Sequence, residues 1–373
     1  MAFTLSGISG ITGLNLTTTH PAPPEFYLWS WGYQNFGQLG LGDTASRSSP
    51  NQVGALTNWS STAGQYLYSL ALKTDGTMWT WGYNDSGHLG LGNTTRYSSP
   101  KQIGALTTWA KISARFNGGV AINTNGALWA WGGNGQGSLG LGDTNNRSSP
   151  VQIGALTNWL NISGGTYHCL AVKTDGTLWS WGSNTNGQLG LGDTNNRSSP
   201  VQVGALTAWL NVSALYYSMA IKTDGTMWSW GTNAHGRLGL GNTTAYSSPK
   251  QIGALTNWST INAGSESGYA IKTDGTMWSW GRNYQGALGV GDTTSRSSPV
   301  QIGALTTWSS VSSKGYTAHA IKTDGTLWSW GTGGNSTLGL GNTTAYSSPK
   351  QIGARTTWIS VTNTDYVILA ISN

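Results

Sequence analysis

Three tryptophans recur at fixed positions about every 50 residues along this chain of 373 residues. Two of them form a W-x-W pair and the third follows 28 residues later; the pattern occurs seven times, with one interval a residue shorter than the others. All 21 tryptophans fall at these positions. Because a fixed period marks supersecondary units that bury their apolar faces against one another, we predict seven equivalent structural units.

Residue alternation and turn chemistry indicate four strands in each unit. In the third unit, Trp159–Ser163 is predicted as the first strand and Leu170–Lys173 as the second. Asp175-Gly176 then closes a tight hairpin, because this dipeptide tolerates the positive φ of a primed turn. Leu178–Trp181 is the predicted third strand, with both tryptophans on one side, and a long glycine-rich loop leads to a short fourth strand at Val201–Val203.

These units predict an all-β fold: a seven-bladed β-propeller with four antiparallel strands per blade, over residues 26–373. The 55 glycines and the charged share of 9% fit short strands and tight turns better than helices. The chain enters at a third-strand position, Tyr27–Trp29, and ends at a second-strand position, Ala370–Ser372. One blade is therefore expected to combine residues 27–53 with residues 358–372, which closes the ring by strand pairing without a long free edge.

The recurring stretch LWSWGxNxxGQLGLGDT, together with VKTDG, resembles the repeat of the regulator-of-chromosome-condensation family in its bacterial and phage form. The resemblance covers about residues 26–373 and implies the seven-bladed propeller. It does not single out an activity, because the family includes a nucleotide-exchange factor for a small GTPase, a plant ultraviolet-B receptor and secreted inhibitors of β-lactamase. Function is therefore sought where the repeats differ from one another.

The repeats differ in the loop between strands one and two and at the start of the loop between strands three and four, whereas the KTDG turn and the GALT segment are nearly invariant. Since antiparallel connections alternate between the two ends of a blade, we expect both variable loops on one side of the disc, the variable face. The KTDG turns then lie on the opposite side, the repeat face. Loops rich in Tyr, Gly and Ser are typical of adaptable binding surfaces. The predicted ligand-binding residues are Tyr33, Phe36, Tyr66, Tyr68, Tyr83, His88, Arg115, Phe116, Tyr167, His168, Tyr216, Tyr217, His235, Arg237, Glu266, Arg282, Tyr284, Lys314, Tyr316 and Tyr366.

The acidic residues give little support for catalysis. Five of the 13 lie in KTDG turns and four in the glycine-rich loops, which leaves Glu25, Asp85, Glu266 and Asp365. Glu266 with Asp85 or with Asp365 is the remaining candidate for a glycosidase-type pair. We expect no enzyme activity, no cofactor and no metal site, with the histidines acting as hydrogen-bonding loop residues and Cys169 buried.

Three positions of the glycine-rich loop change together. In four repeats an aspartate is followed four residues later by an arginine, as in Asp193 and Arg197. In the other three an asparagine is followed by a tyrosine, with a lysine after the next proline, as in Asn242, Tyr246 and Lys250. We infer that these side chains touch. Exposed pairs of this kind contribute about 0–1 kcal/mol each and are expected to shape the loop.

Residues 1–25 lie outside the repeats and are rich in Thr, Ser, Gly and Pro, a composition typical of linkers and tails. No Lys or Arg precedes Arg47, so the positively charged start of a secretory signal is lacking. We predict an anchoring or assembly arm that docks on a neighbouring chain through its apolar residues, which are Phe3, Leu5, Ile8, Ile11 and Leu14.

The predicted function is that of a non-enzymatic structural or binding propeller on the surface or tail of a phage virion. It would recognise a host-surface glycan or protein through the variable face and other virion proteins through the arm, and it fits a homo-oligomer. The alternative is a bacterial extracellular or cytoplasmic propeller that binds a protein, of inhibitor or regulatory type. The net charge of +6 is spread at repeat spacing without a basic block, so no nucleic-acid partner is expected. A membrane span is not expected either, because no apolar run reaches the roughly 20 residues it requires.

Overall fold

The computed structural model describes residues 25–373. Within this range no helix is long and apolar enough to cross a membrane; single 3-10 turns lie at Ala234–Gly236, Tyr284–Gly286 and Gly334–Ser336. The strands in chain order are β1 Tyr27–Gly32, β2 Arg47–Gln52, β3 Trp59–Gln65, β4 Tyr68–Lys73, β5 Met78–Gly82, β6 Tyr97–Gln102, β7 Trp109–Arg115, β8 Gly118–Asn123, β9 Leu128–Gly132, β10 Arg147–Gln152, β11 Trp159–Gly164, β12 His168–Lys173, β13 Leu178–Gly182, β14 Arg197–Gln202, β15 Trp209–Ala214, β16 Tyr217–Lys222, β17 Met227–Gly231, β18 Tyr246–Gln251, β19 Trp258–Ala263, β20 Ser267–Lys272, β21 Met277–Gly281, β22 Arg296–Gln301, β23 Trp308–Lys314, β24 Thr317–Lys322, β25 Leu327–Gly331, β26 Tyr346–Gln351, β27 Trp358–Asn363 and β28 Val367–Ser372.

The strands form seven four-stranded antiparallel sheets. Blades 1 to 6 each take four consecutive strands, from β3–β6 to β23–β26, and blade 7 joins the two ends of the repeat region in the order β2, β1, β28, β27. In this blade Trp29 lies opposite Ala370 and Trp31 opposite Ile368. The first strand of every blade is innermost, since β3, β7, β11, β15, β19, β23 and β27 contact one another in a closed ring. The predicted propeller and its closure are confirmed.

The outermost strand of each blade begins earlier than predicted. In blade 3 it runs over Arg197–Gln202 and not over Val201–Val203, so assigning Arg197–Pro200 to the loop was wrong. The register between β13 and β14 shifts between Ser180 and Gly182, and this bulge removes the alternation on which the prediction relied. Pro200 is tolerated because an outermost strand has a free edge.

Contacts between blades explain why tryptophan recurs so strictly. Trp181, the second of its pair in blade 3, is fully buried, and its Nε1 donates to the carbonyl oxygen of Ser138 in blade 2 at 3.1 Å. The equivalent tryptophan of every blade donates to the preceding blade in the same way. A Cβ at Gly140 would lie 2.8 Å from the Trp181 Nε1, so the glycine is required for the close approach of the loop.

A second set of bonds ties the glycine-rich loop of each blade to the outermost strand of the next. The amide of Gly142 in blade 2 donates to the carbonyl oxygen of Ser198 in blade 3 at 2.8 Å. The same bond recurs in all seven blades and closes the ring from Gly341 to Ser48. One repeat therefore encodes both a blade and its attachment to the neighbouring blade.

The predicted side-chain contacts within the glycine-rich loop are also present. All four Asp–Arg pairs form; in blade 3 the Arg197 Nη2 lies 2.6 Å from the Asp193 Oδ2. In blade 4 the Asn242 Nδ2 donates to the Tyr246 Oη at 3.3 Å, and the Lys250 Nζ lies 5.5 Å from the centre of the Tyr246 ring. The three positions change together because their side chains touch.

Candidate binding face

Both variable loops lie at the same end of the blades, as predicted. In blade 1 the amide of Tyr83, at the start of the loop after strand three, donates to the carbonyl oxygen of Leu67 in the loop before strand two, at 3.0 Å. At the opposite end the amide of Thr74, in the KTDG turn, donates to the carbonyl oxygen of Asn58 at 2.8 Å. The variable face and the repeat face are therefore the two ends of the same seven sheets.

Aromatic side chains form a continuous arc across four blades of the variable face. The ring centroids of Tyr33 and Tyr366 are 5.8 Å apart, and those of Tyr366 and Tyr66 are 5.2 Å apart. Phe116 continues the arc, 5.1 Å from Tyr66 and 5.6 Å from Tyr167. Tilted and edge-on pairs at these distances contribute about 0.5–1.5 kcal/mol each. The arc is therefore a preformed surface and not a set of independent side chains.

The backbone of this face is strained near the axis. Tyr66 has φ of 58° and Asp365 has φ of 87°, in the left-handed region that non-glycine residues seldom adopt. The two residues form an isolated parallel bridge, and the Tyr66 amide donates to the carbonyl oxygen of Thr364 at 2.7 Å. Such strain clusters at functional sites, where the surrounding structure holds it in place.

Lys314 links two blades that are not neighbours in the ring. Its Nζ, from blade 6, donates to the carbonyl oxygen of Gly64 in blade 1 at 2.8 Å and to the Gln65 Oε1 at 3.4 Å, reaching past blade 7. Burial lowers the pKa of Lys314 to about 8, against the opposing effect of the Asp365 carboxylate. Burial raises the pKa of Asp365, while Lys314 acts in the opposite direction.

Glu266 is held by two arginines and a tyrosine. Its Oε2 lies 2.7 Å from the Arg282 Nη1 and accepts a hydrogen bond from the Tyr316 hydroxyl at 3.1 Å, and its Oε1 lies 3.7 Å from the Arg237 Nη2. Burial alone would raise the pKa of Glu266, but the hydrogen bonds from Arg282 and Tyr316 hold it below its usual value. This carboxylate is therefore ionised and already satisfied.

These groups surround a central cavity of about 580 Å³, lined by every blade except blade 3. This volume is in the usual range of small-ligand sites. The lining of the cavity combines aromatic and polar side chains. The aromatic residues are Tyr66, Phe116, Tyr216, Tyr316 and Tyr366, and the polar residues include Gln65, Arg237, Ser265, Glu266, Thr332, Asn335 and Asp365.

A second cluster lies nearer the rim, between blades 7 and 1. The Arg96 guanidinium lies 4.7 Å from the ring centres of both Phe36 and Tyr83, and it binds the Asp85 carboxylate through two hydrogen bonds of 2.8 and 2.6 Å. Sequence reasoning missed Arg96. A signal was present, because the six equivalent positions hold only Ala, Ser or Asn.

Four residues predicted to bind ligand are almost completely buried, although Tyr68 and His168 each contribute to the wall of a small cavity. Tyr68, Arg115, His168 and Tyr217 are each 0–1% exposed. Tyr68, His168 and Tyr217 occupy the first position of the second strand, where the side chain points into the joint with the next blade; the Tyr217 hydroxyl donates to the carbonyl oxygen of Ser267 at 2.8 Å. The sequence did not reveal at which residue each loop gives way to the strand, and so placed these side chains on the surface.

The other predicted residues lie at the face. His88 and Arg237 are mostly buried but line cavities, and burial lowers the pKa of His88 to about 4. Tyr66, Tyr167, Tyr216 and Tyr284 are 37–47% exposed. His235 is exposed as well, and the partly exposed residues are Tyr33, Phe36, Tyr83, Phe116, Glu266, Arg282, Lys314, Tyr316 and Tyr366.

Within residues 25–373 no group of three or more His, Cys, Asp or Glu could hold a metal ion. Cys169 is buried, as predicted, and burial raises the pKa of its thiol to about 11. Of the candidate carboxylate pairs, Glu266 and Asp365 line the same cavity, whereas Asp85 is bound to Arg96. The predicted arm residues Phe3, Leu5, Ile8, Ile11 and Leu14 lie outside the described residues.

Solved structures of known proteins share this architecture. Yeast RCC1 (Prp20) bound to Kap60 is 21% identical, with a TM-score of 0.84 over 93% of this chain and 89% of that chain. Prp20p from Saccharomyces cerevisiae is 22% identical (TM-score 0.83; 93% and 91% covered), and human WBSCR16 is 17% identical (TM-score 0.83; 94% and 99% covered). At these identities the likeness shows the fold alone.

Family membership comes from the sequence itself. A search of curated proteins found no match to this chain. The model of the Regulator of chromosome condensation (RCC1) repeat matches seven segments, which are residues 27–71, 75–114, 125–172, 175–214, 224–271, 274–316 and 324–369. These segments cover most of the chain and follow its period of about 50 residues. The chain therefore belongs to the family of RCC1-repeat propellers.

Proposed function

We propose that this chain is a non-enzymatic binding propeller whose ligand contacts the variable face, with the central cavity as the main site. One observation carries this proposal. The repeats are nearly identical elsewhere in sequence, but they differ from one another around one cavity of about 580 Å³. A repeat scaffold by itself assigns no function, so the divergent site is where function is sought.

The state of the carboxylates favours binding over catalysis. Glu266 is neutralised by Arg282, Arg237 and the Tyr316 hydroxyl, and Asp365 lies beside Lys314. A glycosidase needs one carboxylate free to attack or to activate water. Here the ionised carboxylate already holds structure together, which supports a site that binds without turnover.

The proposal includes a place on a phage virion, with residues 1–25 attached to other virion proteins. It rests on the repeat-family resemblance, the low charge and the apolar residues of the arm. Fractionation of nuclease-treated producer lysate on a density gradient tests it. We expect this chain to co-migrate with DNA-containing particles and to leave them when residues 1–25 are deleted. Recovery only as soluble protein would exclude a virion component.

A protein ligand is the second candidate. Yeast RCC1 was solved bound to Kap60, and Prp20p is described with binding properties to Gsp1p and histones. Those partners belong to those proteins. They favour a protein as the alternative ligand of the variable face in a bacterial extracellular or cytoplasmic propeller.

Two matched triple variants test which face binds. Tyr66, Tyr167 and Tyr216 are changed to Ala on the variable face, and Leu106, Leu156 and Leu206, of similar exposure, are changed to Ala on the repeat face. Immobilised protein is incubated with host-envelope extract and with soluble producer proteins. The tyrosine variant should lose the retained species and the leucine variant should keep it. The opposite pattern would move the site to the repeat face.

A further inference from the structure

Two smaller cavities adjoin the central one and share walls with it. A cavity of about 290 Å³ between blades 1 and 2, subsite A, shares Tyr66 and Phe116 with the central cavity, subsite B. A cavity of about 360 Å³ between blades 3 and 4, subsite C, shares Tyr216 and Arg237 with subsite B. Because each dividing wall is formed by shared side chains, the three subsites form one continuous track on the variable face, with subsite B between subsites A and C.

The lining of the track alternates between aromatic rings and neutral polar groups. Subsite A is mainly aromatic, with Phe36, Tyr83 and His88 in addition to the wall shared with B. Subsites B and C contain hydroxyl and amide groups that can donate and accept hydrogen bonds. In B these include Gln65, Ser265, Thr332 and Asn335, and in C they are Thr166, Ser183, Thr185, Asn186, Gln188 and Thr232. Such a lining fits a chain of rings with apolar faces and hydroxyl edges.

Two of the charged groups that line the track are already paired. Arg237 and Glu266 face each other, with Nη2 and Oε1 at 3.7 Å, and Glu266 also binds Arg282 at 2.7 Å. Burial raises the pKa of Asp365, the other carboxyl group of the lining, and so favours its neutral form. A charged ligand would have to compete with the pairing of Arg237 and Glu266, whereas a neutral ligand leaves it intact. Charge therefore favours a neutral occupant.

The track does not offer what an extended peptide requires. Peptides commonly bind by adding a strand to an open sheet edge, with main-chain hydrogen bonds. The open edges of these blades are the outermost strands, at the circumference of the disc, whereas the cavities are lined by the loops at the strand ends. Recognition here depends on side chains. The interlocked rings of the arc also lose little freedom on binding.

We infer that the track binds a neutral oligosaccharide lengthwise, with one sugar in each of the three subsites and with Tyr66, Phe116 and Tyr216 as the stacking walls between them. This inference rests on the proposed function and specifies its ligand class. It predicts a dependence on chain length: a monosaccharide fills subsite B alone, and affinity rises up to three sugars and then levels off.

The test uses the full chain with neutral oligosaccharides of glucose, galactose, mannose and N-acetylglucosamine, from one to six units, measured by titration calorimetry. At least one series should bind, with the trimer at least tenfold tighter than the monomer and the hexamer equal to the trimer. Tyr66→Ala and Tyr216→Ala should each weaken trimer binding at least tenfold. Leu206→Ala is the control, because Leu206 is 50% exposed on the repeat face and lines none of the three subsites.

Each adverse outcome overturns a different statement. No binding in any neutral series, tighter binding of acidic oligosaccharides, or equal affinity for monomer and trimer would overturn the oligosaccharide inference. The wild type could retain a species that the triple variant of Tyr66, Tyr167 and Tyr216 does not retain, while no sugar binds to either protein. In that case the proposed function stands with a protein ligand, and only the oligosaccharide inference fails. New reducing ends in the titrated sample would overturn the non-enzymatic function. Circular dichroism of each variant excludes loss of the fold as the cause.

Discussion

The two faces of this propeller are the two ends of the same strands, but their side chains are used differently. On the repeat face of blade 3, the Asp175 carboxylate accepts hydrogen bonds from the amide and the hydroxyl of Thr177, and that hydroxyl accepts one from Trp179. Blades 1, 4, 5 and 6 repeat this arrangement. Each of these turns also accepts a main-chain hydrogen bond from the next blade, as from the Trp209 amide to the carbonyl oxygen of Gly176 at 3.0 Å, so the contact between blades repeats as well.

On the variable face the side-chain contacts differ from one pair of blades to the next, and the seven loops between strands one and two have seven different sequences. Tyr66 packs on Tyr366 of blade 7 and on Phe116 of blade 2, while Lys314 of blade 6 reaches blade 1. Repetition thus serves the scaffold, whereas a single asymmetric site near the axis requires different residues from different blades.

Two glycines at opposite ends of the blades give the largest expected difference in stability. Gly225, in the KTDG turn of blade 4, has φ of 76°, and a Cβ there would lie 2.0 Å from the carbonyl oxygen of Thr256. Gly225→Ala should lower the free energy of unfolding by at least about 2 kcal/mol, because the left-handed backbone alone costs about 1–2 kcal/mol. Gly135, in a variable loop, has open space at its Cβ, so Gly135→Ala should stay within about 0.5 kcal/mol of the wild type.

Denaturation by urea, followed by tryptophan fluorescence, measures both glycine variants. Equal losses would mean that the backbone at Gly135 is as tightly constrained as the backbone at Gly225, and the comparison between these two positions would fail.

Acid should destabilise the fold through three buried histidines. Burial lowers the pKa of His88 to about 4, of His168 to about 3 and of His319 to about 3. Between pH 6.5 and about 4 the unfolded chain takes up protons at these positions and the folded chain does not, so stability falls as pH falls. His88→Gln, which installs the residue found at this position in blades 7 and 3, should remove on the order of 2 kcal/mol of this loss between pH 6.5 and 4.5.

The repeat face supplies the control for this pH dependence. Hydrogen bonds from Thr226 lower the pKa of Asp224, so the stability that this carboxylate contributes is present above about pH 4 and is lost only below it. Asp224→Asn should therefore leave the slope between pH 6.5 and 4.5 unchanged. Denaturation midpoints at several pH values measure both variants. If the stability of His88→Gln falls with pH as steeply as that of the wild type, this histidine is not the source of the pH dependence.

The fold could be predicted from the sequence because its signals are local and repeated seven times. Three signals were sufficient to predict the propeller and its closure. They are the tryptophan spacing, the Asp-Gly hairpin, and the strand positions at which the chain enters and leaves the repeats. The fourth strand was misplaced because a bulge interrupts its alternation.

The site was only partly predictable because it depends on contacts that no local pattern contains. Tyr66 lies in the loop and faces the central cavity, whereas Tyr68 is buried. The difference arises because strand β4 begins at Tyr68 and the strand sets the direction of that side chain. The link from Lys314 to Gly64 joins residues far apart in sequence, and the positive φ of Asp365 has no sequence mark. Divergence between repeats located the face, but the structure was needed to find the cavity.

Blade 2 is an exception on the repeat face and gives a smaller test of the comparison. Asn125 and Ala127 replace the usual Asp and Thr, and the Trp129 Nε1 is buried without a hydrogen-bond partner among the described residues. Asn125→Asp with Ala127→Thr should restore the bond and raise the free energy of unfolding by about 1 kcal/mol. Thr177→Ala in blade 3 removes the same bond and should cost a similar amount. If the double variant gives no gain, the turn bond does not stabilise the repeat face.

The smallest effect on the free energy of unfolding is expected for the Asp–Arg pairs of the glycine-rich loops. These pairs recur in four blades, so they are neither nearly invariant like the KTDG turns nor different in every blade like the variable loops. The side chains of Asp193 and Arg197 are 36% and 28% exposed, so water and salt screen their attraction despite a distance of 2.6 Å. Asp193→Asn with Arg197→Tyr converts the loop to the class found in blade 4 and should change the free energy of unfolding by less than about 1 kcal/mol. Denaturation in 0.05 M and 1 M salt measures the change, and the difference between wild type and variant should shrink at high salt. A loss of several kcal/mol would mean that the pair helps to hold blades 3 and 4 together, and the distinction between scaffold and loop shaping would have to be redrawn there.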